Sequence, residues 1–97
     1  MLKLKSVKSF VWDKGNIDKN WIKHKVKNSE CEQIFFNKPL LIFPDLAHSL
    51  KEKRLYALGK NKRGRKLFVS FTIRNEKIRI ISARDQNKKE RKEYEKA

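Results

Sequence analysis

The stretch L-Y-A-L-G-K-N-K-R-G-R-K-L-F-V-S-F-T-I-R-N-E-K-I-R-I-I-S-A-R-D (residues 55–85) decides the fold. Short apolar runs are cut by Asn61-Lys62-Arg63-Gly64 and by Asn75-Glu76, both turn-forming, so residues 53–60, 65–74 and 77–84 read as an antiparallel meander. Arginines stand at the ends of these runs, and Arg79 stands inside the last. A guanidinium is a planar fork of donors that fits phosphate and stays charged at any relevant pH. A small sheet bearing Arg54, Arg63, Arg65, Arg79 and Arg84 therefore suits a phosphate-bearing chain. Strand alternation places Arg79 with Ile81 and Ala83 on one face, and Ile78, Ile80 and Ser82 on the other. A solvated Arg79 paired with Glu76 or Asp85 satisfies the same pattern.

Working outward, residues 40–43 form an apolar strand closed by Pro44-Asp45, and residues 47–51 form a polar connection. Phe10, Val11 and Trp12 mark a first strand at residues 9–12. Residues 16–25 read as a short helix with Ile17, Trp21 and His24 on one face. Ser29 and Glu32 have capping-box spacing for a second helix, whose Cys31, Ile34 and Phe35 point inward and which stops before Pro39. Asn87 followed by Glu90 starts a final basic helix with Tyr94 near its end. The expected fold is α+β, in the order β-α-α-β-β-β-β-α.

Ninety-seven residues are expected to make a single domain, residues 1–97, burying roughly 60–65% of the unfolded surface. Ten aromatic residues argue against a disordered basic tail. Twenty-six Lys and Arg against eleven Asp and Glu leave a charge of +15, which opposes compaction unless an anionic partner neutralises it. Composition bias accounts for part of the lysine excess, but less well for arginine inside strands. A lone cysteine, Cys31, excludes an internal disulfide and a cysteine-based zinc site. His24 and His48 lack ligand spacing, so neither metal nor cofactor is expected; Asp45, three residues before His48, reads as an accident of the loop. The longest apolar run is far too short for a membrane span, and the leading residues lack the apolar core of a signal peptide. The expectation is a soluble, cytoplasmic protein. No phosphate-binding glycine loop or nucleophile elbow is present in the sequence.

Five blocks add a resemblance. They are F-V-W-D (residues 10–13), N-W-I-K-H-K-V (20–26), P-D-L-A-H-S-L-K-E-K-R-L-Y-A-L-G (44–59), R-G-R (63–65) and I-R-I-I-S-A-R-D-Q-N-K-K-E-R-K-E-Y-E (78–95). In order and spacing the chain resembles the BrnT toxins of type II toxin–antitoxin systems, a branch of the RelE-like ribonucleases. Residues 1–9 stand outside the likeness, and Lys14, Gly15, Asn16 and Lys25 depart from the usual pattern. The resemblance implies a RelE-like antiparallel sheet with helices packed on one face and a concave basic face opposite. It implies a metal-independent endoribonuclease that cleaves mRNA through its 2′-hydroxyl and so inhibits translation. Neutralisation by a BrnA-like ribbon-helix-helix antitoxin is implied too, with operator DNA reached through that antitoxin.

On this reading Arg79 and Arg65 clamp the scissile phosphate, with Arg54 and Arg84 in support. His48 and Glu52 are the leading candidates for proton transfer, with His24 and Tyr94 behind them. Arg63, Lys62, Tyr56, Lys88, Lys89 and Tyr94 are expected RNA contacts. Structural roles compete: Glu52 pairing with Arg54, Glu90 capping the last helix, Tyr94 docking by its ring, His24 packing under the sheet. The alternative function is a non-catalytic basic RNA- or DNA-binding module or operon co-regulator.

Overall fold

A computed structural model describes residues 9–48 and 52–97; the leading segment up to residue 8 and the end of the expected polar connection lie outside the described residues. The elements are β1 (Ser9–Val11), α1 (Lys19–His24), α2 (Asn28–Ile34), β2 (Leu41–Pro44), a 3₁₀ turn (Leu46–His48), β3 (Leu55–Lys60), β4 (Lys66–Arg74), β5 (Lys77–Asp85) and α3 (Lys88–Glu95). They form an α+β fold in the expected order. One five-stranded sheet runs β1-β5-β4-β3-β2, with β1 parallel to β5 and every other pair antiparallel.

Turn chemistry builds the meander. Asn75 and Glu76 both take positive φ, 50° and 63°, which is the two-residue hairpin geometry that matches strand twist. Gly64, at φ 87°, closes the β3–β4 turn where Asn61 Oδ1 accepts from the N–H groups of Arg63 and Arg65. The core lies between the sheet and α1–α2. Ala57, Leu67, Val69, Phe71, Ile78, Ile80 and Ala83 of the sheet, together with Cys31 and Ile34 of α2, are fully buried. Gly59 lets α2 approach: a Cβ there would stand 2.8 Å from Ile34 Cβ. Phe35 extends the packing, its ring centroid 5.2 Å from Phe71 and 5.6 Å from Phe10.

A bulge changes which residues share a face. Ser70 pairs with Ser82 but Phe71 pairs with Ile80, so Ile81 is an extra residue in β5. Ile78, Ile80 and Ala83 therefore all reach the core, while Arg79, Ser82 and Arg84 share the open face. Uninterrupted alternation misassigned Ala83 and Ser82. The region around α1 satisfies the backbone at this bulge: Asn16 Nδ2 donates to Ile80 O, Lys19 Nζ donates to Ile81 O, and Asn20 Oδ1 accepts from Ala83 N. The buried side of α1 is thus Asn20. The Ile17, Trp21 and His24 face points outward, with Ile17 43% and Trp21 47% exposed.

The second helix starts earlier than expected. Glu30, not Glu32, reaches back to the Lys27 N–H at 3.0 Å, and Glu32 instead accepts from Trp12 Nε1 at 2.7 Å. The final helix starts where the sequence indicates: Asn87 Oδ1 accepts from Glu90 N, and Glu90 Oε1 accepts from Asn87 N. Tyr94 is buried and its hydroxyl donates to Pro39 O at 2.6 Å. Among the described residues no helix is long and apolar enough to cross a membrane.

Candidate functional site

The open face gathers its cations at one end. Arg79 on β5 stands level with Thr72 on β4, and Arg74 follows two residues on, on the same face. Leu55 pairs with Phe71, so Arg54, one residue earlier, lies level with Thr72 and Arg79. Carboxylates hold the guanidinium groups of Arg79 and Arg74. Asp13, just after β1, takes both sides of the Arg79 fork at 3.1 and 3.4 Å, and Glu52 takes both sides of Arg74 at 2.6 and 2.7 Å. The Arg79 hydrogen bonds, followed by the Gly15 N–H, hold Asp13 below its ordinary range. Arg74 does the same to Glu52, which makes Glu52 a weaker proton acceptor than a solvated glutamate. The Asn16 and Gly15 turn behind Asp13 fixes its approach, with Gly15 so close that a Cβ would meet Arg79 Nη2 at 2.8 Å.

Two further groups complete this end. His48 Nδ1 lies 3.0 and 3.1 Å from the two Asp45 oxygens, and Asp45 N donates to Arg54 O. Asp45 thus holds one side of the His48 ring, which is otherwise exposed. Thr72, between the arginine positions, is 2% exposed, and its Oγ1 has no hydrogen-bond partner among the described residues. No group of three or more His, Cys, Asp or Glu side chains among the described residues is placed to hold a metal ion.

Arg65 is not part of this cluster. It precedes β4, seven residues from Thr72, so roughly 20 Å of strand separates it from Arg79. Its guanidinium donates to Asp85, to Glu30 and to the carbonyls of Lys25 and His24, tying both strand ends to the α1–α2 corner. The Asp85 hydrogen bonds, ahead of those from Glu30, strengthen its hold on its proton. The two expected clamps therefore cannot meet on one phosphate. Arg84 is also committed, paired with Glu90 at 2.8 and 3.0 Å and lying over the Phe68 ring at 4.2 Å.

Of the expected RNA contacts, Lys62 and Arg63 occupy the β3–β4 turn and Lys88 and Lys89 begin α3, all exposed and at the end of the sheet away from Arg79. Tyr56 lies on the open face, between Phe43 and Phe68. Buried Tyr94 has no surface to offer RNA, and Glu52 pairs with Arg74. Sequence reasoning missed Arg74, Thr72 and Asp13. Alternation from Arg79's neighbour could have found the first two; nothing local signals Asp13, whose partner is 66 residues away.

The fold and site define a class of small basic α+β protein with arginines clustered at one end of its open sheet face. Residues 12–90, most of the chain, match the family model of the ribonuclease toxin BrnT of type II toxin–antitoxin systems. The chain belongs to that family of ribonuclease toxins, which implies an RNA substrate and an antitoxin partner. No curated protein matches the sequence.

Proposed function

We propose that this chain cleaves single-stranded mRNA without a metal ion, by attack of the 2′-hydroxyl on the adjacent phosphate. The observation that carries the reading is the alignment of Arg54, Thr72 and Arg79 across three strands, with Arg74 beside them and, on the far side of Arg54, Asp45 in contact with His48. RNA brings its own nucleophile, so the protein must supply in-line positioning, stabilisation of the charge on the non-bridging oxygens, and proton transfer. Arg79, Arg54 and Arg74 supply the charge term, in which one preorganised donor is typically worth roughly 3–4 kcal/mol of barrier. His48 Nε2 moves the proton.

The cluster is nearly neutral as it stands, because Asp13 and Glu52 occupy the forks that phosphate would take. Substrate exchanges a phosphate for each carboxylate, and the guanidinium groups are already oriented when it arrives. Arg65 and Arg84 act at a distance by holding the sheet ends. A BrnA-like ribbon-helix-helix antitoxin covers the same open face, and the complex reaches operator DNA through the antitoxin; all this takes place in the cytoplasm. Complementary charge makes that association fast.

The test is incubation of the purified protein with RNA in EDTA. Expected products carry a 2′,3′-cyclic phosphate and a 5′-hydroxyl, and a 2′-deoxy sugar at the cut site abolishes cleavage. Cleavage that survives the deoxy substitution, or that requires added metal, would overturn the mechanism.

A further inference from the structure

The same open face holds a second depression that the arginine cluster does not use. Phe43, Tyr56 and Phe68, from β2, β3 and β4, form a row with ring centroids 5.2 Å apart and planes inclined by 30° and 24°. Arg84 closes the row over Phe68. α3 faces this row across a cleft of about 480 Å³, with Asn87, Lys89, Glu90 and Glu93 on the opposite wall. The two walls differ in chemistry. One is aromatic. The other carries hydrogen-bonding groups, of which Glu90 is committed to Arg84 while Glu93 is 59% exposed and 4.0 Å from Lys96.

An occupant that suits both walls is flat, apolar on its faces and polar at its edge. Glu93 disfavours a phosphate against the rings, and behind burial and Asp45 both Glu90 and Glu93 help push the pKa of the Tyr56 hydroxyl up. A nucleobase satisfies every condition. We propose that this cleft receives one base of the bound RNA and prefers a base with an exocyclic amino group, donated to the Glu93 carboxylate as a carboxylate accepts from an amino edge elsewhere. The proposal rests on the reading of the open face as the RNA-binding face. Tyr56 lies two residues along β3 from Arg54, and Phe68 four residues along β4 from Thr72, so roughly 7–13 Å separates the cleft from the arginine row. Neighbouring nucleotides of one strand can occupy both.

The test is equilibrium binding of short, uncleavable 2′-O-methyl oligomers of A, C or U, and of one carrying abasic sugars. The intact protein should bind A and C oligomers roughly tenfold more tightly than the abasic one, the size expected for a base packed on aromatic rings, with U in between. Glu93→Ala should erase the preference of A and C over U and leave the abasic oligomer unaffected. Tyr56→Leu should bring all oligomers to the abasic level while Tyr56→Phe keeps the wild-type order, a contrast that a merely structural tyrosine would not give. Equal binding of all oligomers, salt-dependent but indifferent to bases, would overturn the cleft and leave the arginine site standing. No binding of any oligomer at low salt would overturn both. Cleft variants that weaken the antitoxin complex but not RNA binding would assign the cleft to a peptide and overturn the proposal.

Discussion

Arg65 and Arg79 carry the same guanidinium and serve opposite ends of one sheet. Arg65 donates to two carboxylates and two carbonyls, and removing it leaves Glu30 partly buried with less compensation. Arg65→Ala should lower stability by about 2 kcal/mol, less than the loss of a fully buried pair because Asp85 is 62% exposed and screened. Arg65→Lys should recover little, since a point charge cannot span that fork. Arg79→Ala should lower the melting temperature less than Arg65→Ala, since it gives up one carboxylate partner rather than two and no carbonyls, and slow RNA cleavage roughly a hundredfold or more. Melting curves and cleavage rates on the two variants check the contrast; full activity in Arg79→Ala would place the phosphate elsewhere. Thr72→Val removes a buried hydroxyl that lacks a partner among the described residues, at nearly the same shape and strand propensity. It should raise stability by about 1 kcal/mol in denaturant titration. The arginine inventory was legible in the sequence because arginine among strand residues stands out. Which arginine faces phosphate was not, because the deciding carboxylates, Asp13 for Arg79 and Glu30 for Arg65, are remote in sequence.

Among the elements, β3 and α2 touch most closely where Gly59 meets Ile34. Gly59→Ala must push α2 outward or bend the strand, and overpacking of this kind typically costs about 1–3 kcal/mol. Urea unfolding would measure it, and an unchanged midpoint would mean that α2 is loosely seated. The hairpins were readable from Asn61, Gly64, Asn75 and Glu76, and the last helix from Asn87 and Glu90, because these residues act on the backbone locally. The first helix was misread for an equally physical reason. It covers a bulge rather than an apolar surface, so its inward residue is Asn20, and a search for apolar periodicity selects the wrong side. The bulge falls where the adjacent Ile80 and Ile81 break the alternation, a break short enough to read as a continuous apolar run.

At the scale of the whole molecule, the carboxylates set the acid limit. Hydrogen bonds from Arg65 hold Asp85 below its ordinary value of 3.8. Burial pushes Glu90 up, but Arg84 and the Asn87 N–H more than offset it, leaving it below 4.5. Both bind a proton more readily when unfolded, so their contribution is complete above those ordinary values and is lost as pH falls through the lowered ones. The urea midpoint should be flat near neutrality and drop below about pH 4.5; a midpoint constant down to about pH 3 would contradict it. RNA binding should weaken with salt, log K falling against log salt with a slope of about −3 to −4 if roughly five phosphates are contacted. A slope near zero would detach the basic surface from RNA. Asp13, Glu30, Glu52, Asp85 and Glu90 are all claimed by arginines, out of eleven acidic residues in the chain. Little internal negative charge is left over for the lysines. With a formal charge of +15, the dissolved protein must gather mobile anions around itself. What it meets first is then decided by entropy: a polyanion that releases that atmosphere displaces many small ions at once, and it will do so before any side chain has recognised a base.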